Sequence, residues 1–513
     1  MHRIILYVFC ISLIGCTPPE VQEYDRFVAQ EGTEVDLWIK NGQIIDGTGT
    51  PAFQADILIR GEEIRYIGWV NPDQIKAQKT IDASNKILSP GFIDAHAHGN
   101  PIRTPGFENF LAMGVTTISL GQDGSSTDPR KMEQWIQQVD SIKSGVNIAL
   151  FVGHGTLRRQ SGIAYDPNPS PAAMDSMLSL LQKAFDLGCF GMSTGLEYTP
   201  GVYAQDPEML ALAKVVGTND GLIMSHVRNE DNDAIQASLE ELLRQGAYCR
   251  VHAAHLKVVY GQGGKRAEEV LDLLFGATAP PNVSADVYPY TASYTGIGIV
   301  FPAWAKPPND YESIKTNRRA ELLEFLRNKI EQRNGPEATL FGTTRYAGLT
   351  LADLAKAQGR PYEEILLDIG PGGASGAYFI MNEDLQERLV QHPKVMISSD
   401  GSPTMRHPRG YGSFAKVIEE YVLQDSLFDL ANAVHKMSGL TAKTIGLTDR
   451  GILSPGQKAD LLIFDPSAIK AKATYAEPHQ LATGMDYVFV NGKLAYPQTA
   501  ASKNRWGKVL RKK

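Results

Sequence analysis

Three features are scarce or absent in this sequence, and each excludes a class of protein. The 513 residues include only four cysteines, too few for a disulfide-rich scaffold. Lys and Arg number 50 against 57 Asp and Glu, so there is no basic excess of the kind that binds nucleic acid. No internal repeat or low-complexity tract argues for a repeat architecture. With 43% hydrophobic and 21% charged residues, the composition predicts a globular chain with one large and one smaller domain.

The first sixteen residues form a segment of their own. A short positive start, Met1 to Arg3, precedes an apolar run from Ile4 to Ile14 that is too short for a permanent membrane-spanning helix. The following Gly15-Cys16 makes the segment similar to a bacterial lipoprotein signal, in which Cys16 becomes the lipidated first residue of the mature chain. An ordinary secretory signal with a chance cysteine is the alternative.

The lipoprotein interpretation has further consequences. Residues 17–32 are polar and proline-bearing, which favours a tether to a membrane on the export side of a bacterial cell. The protein would face the periplasm, and Thr17, which is not Asp, points to the outer membrane. The remaining cysteines, Cys189 and Cys249, are expected to be buried thiols. Beyond the lipid, no feature indicates a protein partner.

Both ends of the sequence share the pattern of small antiparallel sheets. From residue 33 to 90, apolar and polar residues alternate across turn signals at Asn41-Gly42 and Arg60-Gly61. Strand-like segments and an Asn491-Gly492 turn recur between 451 and 513. We therefore expect one small β-sandwich domain assembled from 33–90 and 451–513.

The middle of the chain, residues 91–450, alternates short apolar runs with longer amphipathic segments. The runs are strand-like, and helical stretches such as Ala172 to Leu187 lie between them. This βα alternation is typical of a parallel (β/α)8 barrel of the TIM type. Aromatic, proline-rich and charged sequence at about 292–350 interrupts it, which predicts an insertion over the barrel mouth.

Two histidines close the first apolar run of this middle region. Side chains in a strand repeat with period two, so His96 and His98 project to the same side. Such a pair can bind a metal, because neutral imidazole is the commonest metal ligand, or it can be a packed strand end. The other ligands decide between these interpretations.

Further ligands follow the later strands. His226, His255 and Asp400 each follow a strand-like run, and the carboxyl ends of parallel barrel strands converge on one mouth. Four histidines and one aspartate suit a zinc site that keeps an open position for water. The strand ends therefore predict a metal-dependent enzyme.

Longer strings around these positions resemble a known family. The chain is similar to the amidohydrolase superfamily and, within it, to the N-acyl-D-amino-acid deacylases, or D-aminoacylases. The matching strings span most of the barrel region: 91–98 (GFIDAHAH), 153–158 (GHGTLR), 193–198 (STGLEY), 225–230 (SHVRNE), 255–257 (HLK), 286–293 (DVYPYTAS), 399–401 (SDG) and 407–412 (HPRGYG). The resemblance implies a distorted (β/α)8 barrel, a small β domain of paired termini, zinc, and hydrolysis of a linear amide.

The resemblance also implies roles for the ligands. His226 and His255 resemble the ligands of a tightly held zinc ion, and His96, His98 and Asp400 those of a second, weaker position. The family usually has a zinc-binding cysteine after strand two, where this chain has Asp123. Asp123 can bind zinc through oxygen and bridge two metals, or it can simply form a turn before glycine.

Catalysis and substrate binding are assigned from chemistry and from the resemblance. Asp400 is the expected general base, which returns its proton to the departing amine. Lys257, two residues past His255 on the same strand face, suits the substrate carboxylate. The resemblance adds Tyr198, Tyr288, Ser293 and Arg409 to that pocket.

The side chain of the substrate and two rival functions remain open at this stage. Ser293 to Ala305 contains no cation, which favours N-acyl-D-amino acids with neutral or hydrophobic side chains. One rival is another amide hydrolase of the superfamily, such as a hydantoinase; the second is an inactive barrel that serves as a lipid-anchored binding protein. Cys189 to Gly195 lacks the lysine that a carboxylated-lysine metal bridge on strand four would need, which argues against the first rival.

Overall fold

The computed structural model describes residues 19–497 and 505–512. The predicted signal segment, with Cys16 and Thr17, lies outside the described residues. Within the described residues, no helix combines the length and apolarity needed to cross a membrane. The described chain comprises a barrel, a small β domain and an insertion, and the predicted fold class is confirmed.

The small β domain combines strands from both ends of the described chain. They form one connected sheet whose inward side chains share a core. The strands are β1 (Glu34–Ile44), β2 (Phe53–Arg60), β3 (Glu63–Gly68), β4 (Lys76–Asp82), β5 (Ile87–Pro90), β17 (Leu461–Phe464), β18 (Met485–Val490) and β19 (Lys493–Tyr496). Asn491-Gly492 makes the predicted hairpin turn between β18 and β19.

Asn41-Gly42 is not a hairpin turn. It lies inside β1, at a register irregularity against β2, with Asn41 in the left-handed region (φ 62°). The kink has a topological reason, because β1 pairs with β4 before this point and with β5 after it. The Asn-Gly signal therefore marks a bulge that redirects a long strand.

The barrel has eight strands joined by parallel pairing. They are β6 (Phe92–Asp94), β7 (Val115–Leu120), β8 (Asn147–Gly153), β9 (Gly191–Gly195), β10 (Leu222–His226), β11 (Arg250–Ala253), β12 (Val283–Val287) and β16 (Val395–Ile397). Just past β6 and β16, the Asp400 amide donates to the His96 carbonyl and the His98 amide to the Gly401 carbonyl, both at 2.8 Å. These bonds link the first and last strands at the mouth.

Helices surround the barrel and bury one apolar stripe each. In α5, Met177, Leu180, Leu181 and Ala184 are buried at helical spacing, and the Ser170 hydroxyl caps the first turn. The barrel helices are α2 (Glu108–Ala112), α3 (Met132–Ile142), α4 (His154–Gln160), α5 (Pro171–Asp186), α6 (Asp206–Thr218), α7 (Ile235–Gln245), α8 (Gly263–Phe275), α13 (Glu383–Gln391), α14 (Arg409–Lys416), which continues as a π-helix (Val417–Gln424), α15 (Leu430–Met437) and α16 (Gly439–Ile445).

The insertion is longer than the sequence suggested. Its antiparallel sheet has β15 (Ser375–Phe379) between β13 (Ala292–Gly296) and β14 (Thr339–Phe341), so it extends well beyond residue 350. Its helices are α9 (Tyr311–Asn317), α10 (Arg319–Gln332), α11 (Leu351–Gln358) and α12 (Tyr362–Ile369). These elements bury an apolar core of their own.

Both terminal regions differ from the sequence-based expectation. Within the predicted tether, α1 (Pro19–Glu31) is a helix whose Tyr24 and Phe27 are buried against Tyr66 of β3. Those aromatic residues supply apolar area that a free polar tether would lack. At the other end, β20 (Val509–Leu510) pairs with barrel strand β8 and not with the small domain. Cys189 and Cys249 are free and buried, as expected.

Candidate active site

A cavity of about 320 Å³ lies where the barrel strands end and the insertion covers them. One wall carries His98, Asp123, His226, His255 and Asp400, and the insertion contributes Ser293, Tyr294, Thr295 and Arg333. His96 lies directly behind this wall and is fully buried. The fold therefore brings together all six side chains that the sequence marks as candidate ligands.

The first group of ligand atoms joins three strand ends. His226 Nδ1 lies 3.0 Å from His255 Nε2, and Asp123 Oδ1 lies 3.3 Å from His255 Nε2 and 3.7 Å from His226 Nδ1. Two ligands of a tetrahedral zinc ion, with bonds of about 2.0–2.1 Å, are separated by about 3.3 Å. The three atoms are therefore spaced as zinc ligands are.

The second group shares the same aspartate. Asp123 Oδ1 lies 3.3 Å from His96 Nε2, and its Oδ2 lies 3.5 Å from His98 Nε2. Asp400 Oδ1 lies 3.1 Å from His98 Nε2 and 3.8 Å from His96 Nε2. Asp123 thus contributes a carboxylate oxygen to both candidate ligand groups. The two interpretations of this residue are compatible, since it also lies in a turn.

Backbone strain marks the same positions. Asp123, His255 and Asp400 have φ values of 53°, 37° and 48°, in the left-handed region that residues other than glycine rarely adopt. Before Asp123, Gly121 has φ 91°, and a Cβ there would lie 1.9 Å from the Phe151 carbonyl oxygen. Three candidate ligands are thus held in costly conformations, as is common at functional sites.

The donor set fits a metal ion. Both ring nitrogens of the buried His96 lack a hydrogen-bond partner among the described residues. On the far side of the first group, Glu197 Oε2 lies 3.0 Å from His226 Nε2, and Glu230 Oε1 lies 3.3 Å from His255 Nδ1. A carboxylate behind a ligating histidine fixes its tautomer and orientation, the usual arrangement at metal sites.

The buried carboxylates of the site favour the binding of positive charge. Burial by itself lowers the pKa of His98 and of His255, but nearby carboxylates, including Asp123 and Asp400, outweigh it and raise these pKa values to about 9 and about 10. Burial also raises the pKa of Asp123, yet His96 and His255 hold it well below its usual range. The carboxylates thus stay ionised and attract either protons or a metal cation.

Asp400 is placed between the histidines and an arginine. Arg409, at the start of α14, brings Nη1 to 2.8 Å from Asp400 Oδ2. Burial raises the pKa of Asp400, but the charges of Arg409 and His255 outweigh it and keep the pKa well below its usual range. The carboxylate therefore presents Oδ1 to the histidines while Oδ2 is held by the guanidinium.

Comparisons with known proteins agree with this geometry. A family model described as "Amidohydrolase family" matches residues 320–496. The chain is 32% identical to N-acyl-D-glutamate deacylase and 31% identical to D-aminoacylase, both of Alcaligenes xylosoxydans xylosoxydans; each match covers 93% of this chain and 97% of the relative. The chain belongs to the N-acyl-D-amino-acid deacylase family of amidohydrolases. The predicted resemblance is therefore confirmed.

A solved deacylase structure has the same overall fold. N-acyl-D-glutamate deacylase from Bordetella bronchiseptica, complexed with zinc and a phosphonate inhibitor, matches with a TM-score of 0.80 and 31% identity, over 93% of this chain and all of that one. That inhibitor is described as a mimic of the tetrahedral intermediate of the reaction. In that deacylase, zinc and a tetrahedral mimic are thus bound on a fold of this kind.

The expected carboxylate-binding residues of the deacylase family are only partly in the cavity. Tyr198, Ser293, Lys257 and Arg409 line it. Tyr288 does not: it is fully buried, its ring lies 4.8 Å from the Arg409 guanidinium carbon, and its hydroxyl points to Met381. Tyr288 thus packs behind the cavity wall, against Arg409, and does not line the cavity itself.

Lys257 is not a free cation. Its Nζ lies 2.6 Å from Glu230 Oε1 and 2.8 Å from His255 Nδ1. Burial lowers the pKa of Lys257, but Glu230 outweighs this and raises it. The lysine is therefore charged and already neutralised by a carboxylate, so its share in binding a second carboxylate is reduced.

Sequence reasoning passed over Glu197, Glu230 and Arg333. The two glutamates lie inside matched family strings, close after the ends of β9 and β10, so the strand-end rule could have found them. Arg333 follows α10 in the insertion, and no motif marks it. His154, in the matched string 153–158, is buried with its Nε2 2.7 Å from Glu208 Oε1 and does not line the cavity.

Proposed function

We propose that this protein is a zinc-dependent hydrolase that cleaves N-acyl-D-amino acids into a carboxylate and a free D-amino acid. The observation that carries the proposal is the pair of ligand groups that share Asp123. Deacylase relatives with 32% and 31% identity support the substrate class. Zinc fits the nitrogen and oxygen donors of the site.

The chain's own residues divide the chemistry among themselves. A bound zinc ion lowers the pKa of water from 15.7 to about 7 and polarises a carbonyl group. Asp400 accepts the proton of the attacking water at Oδ1 and delivers it to the departing amine nitrogen. Arg409 keeps that carboxylate oriented by holding Oδ2. Glu197 and Glu230 hold the histidine rings in place.

The α-carboxylate of the substrate must lie close to the scissile amide, because only the α-carbon separates them. Arg409 and the Ser293 hydroxyl line the cavity beside Asp400 and suit this carboxylate. The ring of Tyr198 is tilted by 43° against that of His226, with ring centroids 4.5 Å apart, and its hydroxyl accepts a hydrogen bond from Thr295 at 3.3 Å. This tyrosine thus links the first ligand group to β13 of the insertion.

Metal analysis joined to enantiomer-specific hydrolysis tests the proposal. We expect the purified protein to contain zinc and to hydrolyse N-acetyl-D-methionine or N-acetyl-D-glutamate faster than the L enantiomers. The enzyme proposal fails if there is neither zinc nor turnover. Turnover of L forms alone contradicts the D preference, and turnover of a hydantoin alone favours the hydantoinase alternative.

We also propose that the protein is anchored by lipid on Cys16 and faces the periplasm. The support is the apolar run from Ile4 to Ile14 followed by Gly15-Cys16. Labelled palmitate should enter the wild-type protein and not Cys16→Ser, which should leave the membrane fraction. An unlabelled, soluble wild-type protein would contradict the anchor.

A further inference from the structure

One cationic side chain in the cavity, Arg333, forms no ion pair with any residue that the structure describes. Arg333 follows α10 and lines the cavity from the insertion side, yet it is only 4% exposed. Its Nη1 donates to the Tyr260 hydroxyl at 3.3 Å, and its guanidinium carbon lies 4.9 Å from the centre of the Tyr378 ring. Its Nε is buried and receives no hydrogen-bond partner from the described part of the chain.

The other cations that line the cavity are matched. Lys257 pairs with Glu230 at 2.6 Å, and Arg409 pairs with Asp400 at 2.8 Å. Over residues 19–497 and 505–512, no carboxylate oxygen lies within 4 Å of the Arg333 guanidinium. Of the three Lys and Arg side chains that line the cavity, Arg333 is therefore the one that no described carboxylate neutralises.

Two other carboxylates that line the cavity are engaged elsewhere. Asp231 Oδ2 lies 3.4 Å from Lys329 Nζ, and Glu197 Oε2 lies 3.0 Å from His226 Nε2. A buried charge without a counter-ion is costly, and a guanidinium offers a planar fork of donors that matches a carboxylate. Such a group, facing a substrate cavity, is suited to an anion that arrives with the ligand.

We propose that Arg333 binds the side-chain carboxylate of the substrate, so that the preferred substrates are N-acyl derivatives of D-glutamate or D-aspartate. This inference rests on the proposed deacylase function. It goes beyond that function by naming the side-chain class and the residue that selects it.

The position of Arg333 favours the side-chain carboxylate over the α-carboxylate. Arg409 contacts Asp400 directly and so lies where the amide must be cleaved. Arg333 is held instead by Tyr260 and Tyr378, and among the described residues neither a hydrogen bond nor an ion pair joins it to a candidate metal ligand. A carboxylate carried at the end of a side chain can reach this more remote site while the amide lies at the metal centre.

The expectation of neutral or hydrophobic side chains depended on a single stretch, Ser293 to Ala305, which has no cation. Arg333 enters the same cavity from a later part of the insertion. The relatives do not decide the matter, because the deacylase named for D-glutamate and the D-aminoacylase are 32% and 31% identical to this chain. Kinetics on matched substrates must decide it.

The experiment compares kcat/KM for N-acetyl-D-glutamate, N-acetyl-D-aspartate and N-acetyl-D-methionine in the zinc-loaded full-length protein. We expect the wild type to prefer an acidic substrate. Arg333→Met should lose about 10- to 100-fold on that substrate, the usual worth of a hydrogen bond to a charged group, and should change little on the methionine derivative. Arg333→Lys should lose less.

A matched control removes a positive charge from the same helix without touching the cavity. Arg319 is exposed and pairs with Glu364. Arg319→Met should therefore leave the ratio of kcat/KM for acidic and neutral substrates unchanged. Zinc content and melting temperature of each variant separate a binding effect from misfolding. If Arg333→Met does not fold, the inference is tested by two other measurements. These are the substrate preference of the wild type and the ratio of kcat/KM for acidic and neutral substrates in Arg333→Lys.

Two results overturn the inference while leaving the proposed function intact. One is a wild type that prefers the methionine derivative. The other is an equal loss on acidic and neutral substrates in the Arg333 variants, which would mean that Arg333 binds a group common to both or only supports the fold. Absence of turnover on every N-acyl-D-amino acid would instead overturn the proposed function itself.

Discussion

The two walls of the cavity are built in different ways. On the barrel wall, candidate ligands lie at the ends of five barrel strands, and histidine, carboxylate and lysine groups hold one another in place. On the insertion wall, helices and a three-stranded sheet enclose their own apolar core and present Arg333 without a counter-ion. On the barrel wall the charged groups are paired with one another around a candidate metal site. On the insertion wall the positive charge of Arg333 is available to an anion.

This difference separates chemistry from specificity. The spacing of the ligands follows from barrel pairing, whereas Arg333 is positioned by the separate core of the insertion. Substitutions in distant, independent groups usually have additive effects. Changes on the barrel wall should therefore alter the rates of all substrates, and changes on the insertion wall should alter their ranking.

Removal of the metal should have the largest effect. After treatment with a chelator we expect activity on acidic and neutral N-acyl-D-amino acids to disappear together, and zinc should restore both. The melting temperature should also fall, because an ion that binds only the folded state stabilises it. Metal-free protein that keeps its full rate would show that the barrel wall does not act through a metal.

Asp400→Asn should have the next largest effect. Loss of the general base should lower kcat by about 10²- to 10⁴-fold for every substrate, with circular dichroism unchanged. Asp231→Asn is the matched control, since that carboxylate also lines the cavity but pairs with Lys329. A loss below tenfold in zinc-loaded Asp400→Asn would move the proton transfer to another residue.

The barrel wall could be predicted from sequence because two simple periodicities determine it. Parallel strands carry His226, His255 and Asp400 to one mouth. Period two predicts His96 and His98 on one strand face, but β6 ends at Asp94, and the two histidines reach the same mouth from the segment that follows the strand. The local sequence does not determine whether Asp123, in a short turn, also supplies a metal ligand. For Asp123 the tertiary structure decides the placement, through the glycine turn that directs its carboxylate towards the histidines.

The positions of Arg333, Tyr288 and helix α1 depend on tertiary packing, which no local sequence pattern predicts. Arg333 follows an ordinary amphipathic helix, and only the core of the insertion brings it to the cavity. Tyr288 lies in a family string, yet its hydroxyl is directed away from the cavity. Residues 19–31 look polar, but two aromatic residues suffice to dock them as a helix.

Glu197→Ala should have a smaller effect that is confined to the first ligand group. Without its carboxylate partner His226 loses its fixed tautomer, and such changes weaken metal binding by about 10- to 100-fold. Zinc affinity measured by competition with a chelating dye reports this directly. Asp231→Ala, on the same wall but without contact to a candidate ligand, should keep the wild-type affinity; equal affinities in both variants would remove Glu197 from the metal site.

Tyr260→Phe should give the smallest effect and tests the point where the two walls meet. Tyr260 belongs to the loop after β11, and its hydroxyl accepts a hydrogen bond from Arg333 Nη1. Loss of one such bond should lower kcat/KM for acidic substrates by about 2- to 10-fold and leave neutral substrates unaffected. Tyr362→Phe is the control, because that hydroxyl donates to Glu331 at the surface of the same insertion. If Tyr260→Phe slowed neutral substrates as much as acidic ones, the walls would be coupled through this residue, and the separation of chemistry from specificity would not hold.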